Sequence, residues 1–136
     1  MTTVVRDMLD TYPGALSGMD RDKLIRCIEE CVACAQACTA CADACLSEEM
    51  VADLTKCIRT DTDCADVCRT TAAVLSRRTG YDAAVTRAVL QACATVCKVC
   101  GDECASHADQ HDHCRVCADA CRRCEQACDA LLSSLV

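Results

Sequence analysis

The chain has 136 residues, enough for one domain and a single core, and a formal net charge of −7. Cysteine supplies 18 of those residues, Trp and Phe are absent and Tyr occurs twice, so something other than large apolar side chains must fill the interior. An acidic balance without a basic cluster argues against nucleic acid and against anionic membrane surfaces as partners.

The opening stretch MTTVVRDMLDTYPG has no apolar signal core, twin arginine or cleavage site. No run approaches the roughly 18 apolar residues of a bilayer span. The expectation is a cytoplasmic chain whose thiols stay reduced. A short amphipathic segment, Thr3 to Tyr12, is predicted to set Val4, Val5, Met8, Leu9 and Tyr12 largely on one side before PGALSG breaks the chain. Residues 1–19 are therefore read as a short N-terminal extra helix and loop, and residues 20–136 as the main domain.

Four long helices are predicted after that break. Helix A starts at an Asp20 cap and runs to about Leu46. Ser47 reads as the N-cap of helix B, with Glu48 and Glu49 suited to the positive dipole of its first turn. Helix B continues to about Thr79, with Arg77 and Arg78 in its last turn and Gly80 as its stop. Asp82 caps helix C, which runs to about His107, and helix D covers roughly Gln110 to Leu135. Connections this short force antiparallel neighbours. The predicted class is all-α, an up-down-up-down four-helix bundle.

In CVACAQACTACADAC, Cys31 to Cys45, cysteines recur at alternating gaps of three and four, the period of one helix face. Helix A places Cys27, Cys31, Cys34, Cys38, Cys41 and Cys45 on that face. Helix B places Met50, Leu54, Cys57, Asp61, Cys64, Cys68, Thr71 and Leu75 there. Helix C contributes Leu90, Cys93, Cys97, Cys100 and Cys104, followed by His107 and His111. Helix D contributes Cys114, Cys117, Cys121, Cys124 and Cys128, then Leu131 and Leu135. In a bundle such positions face inward, and Ala35, Ala37, Ala42 and Ala44 beside the first seam let backbones approach closely. Treating all eighteen cysteines as small hydrophobes would forgo the dispersion that larger side chains provide. A disulfide scaffold fits poorly too. Cysteines three or four apart on a helix run side by side, and the chain has four Gly and one Pro rather than a loop-rich composition.

A reduced, thiol-lined interior suits soft metal ions. Zinc favours closed tetrahedra from knuckles at turns, whereas pairs such as Cys31/Cys34 and Cys121/Cys124 lie inside uninterrupted helices. No iron–sulfur Cys-Pro spacing or CxxCH haem signature occurs. Cu(I) selects thiolate and is content with two or three ligands, so a continuous ladder holds multiple ions through shared sulfurs. Two thiolates on Cu(I) leave a net −1, four on Zn(II) a net −2, and buried charge is costly. Zinc is disfavoured by this reasoning but not forbidden.

With repeated CxxxC and CxxC helices and no export signal, the chain from Asp20 to Val136 resembles the cytosolic members of the bacterial copper storage protein family. The resemblance implies storage of many Cu(I) ions inside each bundle, mostly at two-thiolate sites, and assembly as a homotetramer. Carried onto this sequence, the ligands are the eighteen cysteines named above. Two departures stand out. Helix B holds only three cysteines, and Asp61 occupies a seam position where a thiol would continue the series.

Antiparallel stacking predicts that Cys31 shares a level with Cys64, Cys97 and Cys121, and Cys34 one with Asp61, Cys100 and Cys117. Leu24, Leu75, Leu90 and Leu131 then close one end, while Cys41, Cys45, Met50, His107 and His111, with His113 nearby, mark the other. Copper is expected to enter at that His/Met end. His107 and His111 continue the seam and read as metal ligands; His113 reads equally as a solvated residue of the connection, and Met50 equally as packing. Asp61 is read as a carboxylate that accepts a proton or draws cations inward, against the alternative that it turns toward solvent. Two other functions stay open, a metallothionein-like buffer for zinc or mixed soft metals and a thiol redox protein. Burial of the thiols opposes the second. No nucleophile–base constellation or phosphate loop is evident, so no enzymatic activity is expected and nothing names a donor or acceptor of copper.

Overall fold

The computed structural model describes residues 3–16 and 18–135. Ser17, in the predicted loop, and the terminal Val136 lie outside the described residues. Five helices follow in order: α1 (Thr3–Asp10), α2 (Arg21–Leu46), α3 (Thr55–Ser76), α4 (Ala83–Ala105) and α5 (Asp112–Ser134). A single 3-10 turn, Val51–Leu54, precedes α3. The long helices are rich in Ala, Arg and Leu and contain no Pro, so nothing in their interiors opposes the helical backbone. Among the described residues the backbones of α2 pack beside α3 and α5, and those of α4 beside the same two, while only side chains meet across the diagonals. That is a square, antiparallel up-down-up-down bundle with α1 leaning on its flank.

Two of the predicted caps hold. The Asp20 side chain accepts from the Lys23 backbone N–H at 2.9 Å, and Asp82 accepts from those of Ala84 and Val85 at 2.9 and 3.1 Å. Ser47 departs from expectation. Its backbone N–H bonds to carbonyls of Ala44 and Cys45, so it closes α2 instead of opening the next helix. The third long helix then begins only at Thr55, after the turn has placed Leu54 fully inside. Burying a leucine contributes about 1.5–3 kcal/mol, against about 1 kcal/mol for a serine cap, and the larger effect prevails.

The other helix ends are also shorter than the periodicity suggests. Helix α3 stops at Ser76, with Arg77 already extended, so Arg77 and Arg78 lie beyond it. Gly80 turns the chain with φ +67°, a left-handed conformation that glycine adopts without a Cβ penalty. Helix α4 ends at Ala105, leaving His107 in the connection, and α5 begins at Asp112 with His111 as its N-cap residue.

All eighteen cysteines, with Leu24, Leu75, Leu90 and Leu131, form one buried core together with Ile25, Ile28 and flanking alanines. Helix α1 inserts Leu9 against this core and pairs Asp10 with Arg21, while Val4 and Met8 remain 67% exposed. Helix α4 is long and apolar enough to cross a bilayer, with a mean hydropathy of 1.3 over its best 18 residues. Four buried cysteines, at 93, 97, 100 and 104, supply part of that apolarity and face the other helices.

Candidate metal centre

The three-four spacing on each long helix turns its sulfurs inward, and the four helices bring them together as an unbroken column. Near the leucine end, Cys27 Sγ lies 3.7 Å from Cys128 Sγ. Cys31 meets Cys124 at 3.7 Å and Cys93 at 3.9 Å, and Cys68 meets Cys93 at 3.8 Å and Cys97 at 3.6 Å. Cys34 continues to Cys64 and Cys121 at 3.9 and 3.8 Å, and Cys38 to Cys117 and Cys100 at 3.6 and 3.9 Å. The far end holds Cys57–Cys104 at 3.7 Å and Cys41–Cys114 at 4.0 Å. These separations are far beyond the roughly 2.05 Å of a disulfide and short enough for one soft ion to bridge two sulfurs.

Several four-thiol groups have all sulfurs within 4.8 Å, among them Cys31/Cys93/Cys124/Cys128, Cys34/Cys38/Cys64/Cys121 and Cys41/Cys45/Cys57/Cys114. They overlap. Cys38 and Cys121 also belong to a group with Cys100 and Cys117, so neighbouring positions share ligands.

The levels on α3, α4 and α5 pair as the seams predict, whereas α2 is displaced by one seam step. Cys34, not Cys31, sits beside Cys64 and Cys121, and Cys38 rather than Cys34 meets Cys100 and Cys117. The cause is the 47–54 connection. Spending those residues on a turn moves the facing pairs of α2 and α3 by about one helical turn.

Asp61 is fully buried among this sulfur and does not turn toward solvent. Its Oδ1 accepts from the thiols of Cys100, Cys104 and Cys117 at 3.0, 3.2 and 3.3 Å. Burial pushes its carboxyl up to about 9. The thiols separate into two sets. The hydrogen bond with Cys128 lowers Cys27 to about 5, and sulfur–sulfur hydrogen bonds also lower Cys34, Cys41, Cys93 and Cys100, led by those with Cys121, Cys104, Cys124 and Cys104 respectively. The donors on the other side of such contacts, Cys38 and Cys97 among them, are held protonated. Burial, with neighbouring Cys41 adding to it, pushes Cys45 up to about 11.

The histidine end differs in detail from its sequence reading. His113 stands directly against the sulfurs, its Nδ1 3.3 Å from Cys41 Sγ and 3.6 Å from Cys114 Sγ. His111 is buried and stacks on it, with ring centroids 5.5 Å apart. His107 points to Glu103, Nε2 to Oε2 at 2.9 Å. Met50 lies in the turn, 44% exposed. Burial opposes the imidazolium of His113, but hydrogen bonds to Cys41 and Glu48 outweigh it and raise its pKa. Sequence reasoning missed Glu48 as a partner of these histidines, because it was placed in a helix that does not begin there. The one local signal for His113 is its position just before Cys114, in the first turn of α5.

Residues 20–133 match the protein family described as copper storage protein. The chain is 76% identical to the copper storage protein Ccsp from Streptomyces lividans, solved with 10 copper equivalents. The two superpose with a TM-score of 0.95 over 96% of this chain and 99% of that one. The Cu(I)-bound copper storage protein BsCsp3 is 37% identical, with a TM-score of 0.69 over 78% of this chain and 94% of its own. An uncharacterized cysteine-rich protein of Bacillus subtilis strain 168, YhjQ, is 40% identical over 105 residues, 77% of this chain and 92% of its length.

Proposed function

The chain belongs to the copper storage protein family and stores multiple Cu(I) ions on core thiolates, and we propose that all eighteen of its cysteines are the ligands. The observation that carries this reading is the column of sulfurs, most of them 3.6–4.0 Å from a neighbour and the mouth group with Cys45 joined within 4.8 Å, which leaves no cysteine outside it. Shared sulfurs lower the negative charge per ion, and each binding event releases thiol protons to solvent. His113 and His111 take part at the mouth, His107 lies further out, and Asp61 sits where a fourth thiol would otherwise stand. Copper enters at the histidine end, because the opposite end is sealed by Leu24, Leu75, Leu90 and Leu131. Met50, 44% exposed in the turn, lies at the same end.

The same reading makes the protein a cytoplasmic, non-enzymatic store. Residues 20–136 form the storage unit, and residues 1–19 an appendage. Assembly as a homotetramer is what the family resemblance implies, and the apolar surface that Val4, Met8 and Val32 leave open beside α1, lining a cleft of about 470 Å³, offers a face for self-association. Light scattering on the reduced protein checks the assembly.

Anaerobic titration of the reduced chain with Cu(I) against a chromophoric competitor, with zinc in parallel, tests the storage proposal. Tight uptake well beyond two ions per chain is expected. Saturation at one or two ions would point instead to a carrier or sensor. The four-thiol groups keep a zinc buffer as a second reading, and stoichiometric zinc uptake in preference to Cu(I) would establish it.

A further inference from the structure

Glu48 follows the residue that closes α2, and its backbone N–H still bonds to the Cys45 carbonyl at 3.2 Å. Its Oε2 lies 2.8 Å from His113 Nε2 and 3.1 Å from His111 Nδ1. One carboxylate oxygen therefore faces two imidazoles through different ring nitrogens. A neutral imidazole carries one N–H, so donating it to Glu48 leaves the other nitrogen as a bare lone pair. In the neutral form of His113 the bare nitrogen is then Nδ1, within 3.3 Å of Cys41 Sγ and 3.6 Å of Cys114 Sγ. In His111 it is Nε2, which is buried with no hydrogen-bond partner in a residue only 8% exposed. Leaving such an acceptor dry and unpaired is costly unless a ligand completes it.

We propose that Glu48 is a positioning residue for copper uptake, whose single carboxylate oxygen sets opposite tautomers in His111 and His113 and frees one ring nitrogen of each for Cu(I). The carboxylate is too hard a ligand to compete for Cu(I) itself, and it acts as the outer partner that orients metal-binding imidazoles. The inference rests on the proposal that copper enters at the histidine end.

The test uses the reduced, copper-free full-length chain with ¹⁵N-labelled histidine, as wild type, Glu48→Gln and Glu48→Ala. Long-range ¹H–¹⁵N correlation should show His113 as the Nε2–H tautomer and His111 as the Nδ1–H tautomer in the wild type. In Glu48→Ala both should average between tautomers, and anaerobic stopped-flow uptake of Cu(I) should slow roughly 10- to 100-fold, the usual range for losing an outer-shell partner. Glu48→Gln, with an uncharged acceptor oxygen, should fall between. Circular dichroism verifies the fold, and Glu48→Gln decides if the alanine variant loses helicity. Wild-type tautomers in the variants would overturn the proposal, and so would altered tautomers with an unchanged uptake rate. If His113→Ala also takes up copper at the wild-type rate, the histidine-end route itself has failed, whatever the tautomers show.

Discussion

A carboxyl group surrounded by thiols is the most unusual single residue of this core. Asp61 in the unfolded chain releases its proton above about 3.8, whereas in the fold burial holds it up to about 9. The folded state thus binds one more proton between those values, and stability conferred at low pH is lost as pH rises through that window. Asp61→Asn, which keeps an acceptor for the three thiols and cannot ionise, should remove this part of the pH slope. Thermal melts of the metal-free protein from pH 4 to 9 check it, with the variant gaining on the wild type toward the alkaline side. The histidines divide in the same local way. His113→Ala should slow copper uptake by roughly tenfold or more, on the scale seen when even an outer-shell partner is lost, and His107→Ala by less. Only His113 has a ring nitrogen against sulfur, while His107 faces Glu103. Stopped-flow traces of the two variants side by side decide the order.

Within the helices, local chemistry accounts for starts better than for stops. Asp20 and Asp82 are legible as caps because an aspartate before an alanine- or lysine-bearing helical run has backbone N–H groups to satisfy, and both do so. Ser47 carries the same local signal and fails, since burial of Leu54 draws the chain through a 3-10 turn first. Asp82→Ala should therefore cost about 0.5–2 kcal/mol in chemical unfolding of the metal-free protein, and Ser47→Ala close to nothing. Between α4 and α5, Gly101 admits the Arg122 guanidinium, which reaches Asp102 Oδ1 at 2.6 Å. An added Cβ would stand 2.9 Å from Arg122 Nη1, so the flexible end of the arginine would have to move. The one-step displacement of α2 has a similar origin: a connection's length sets which sulfurs meet, and length is settled by packing at the bundle's end.

For the molecule as a whole, six buried leucines and eighteen thiols must hold most of the fold before any metal arrives. The helices rest on propensity and burial, so the metal-free chain should give a helical circular dichroism spectrum, and Cu(I) should raise its melting temperature by binding only the folded state. Leu75→Ala at the sealed end should cost about 2–5 kcal/mol in the metal-free protein while the sulfur column keeps its ligands. Periodicity alone determines a good part of this protein. A three-four recurrence of cysteine puts every sulfur on an inward face, and short connections make four such faces antiparallel. The tertiary structure alone decides the level at which the faces meet, the three thiols that find Asp61 and the carboxylate that joins His111 to His113. Those contacts link residues such as Asp61 with Cys100 and Glu48 with His113, 39 and 65 positions apart. They depend on how connections pack and how far each helix slides, and a local helical period carries no record of either.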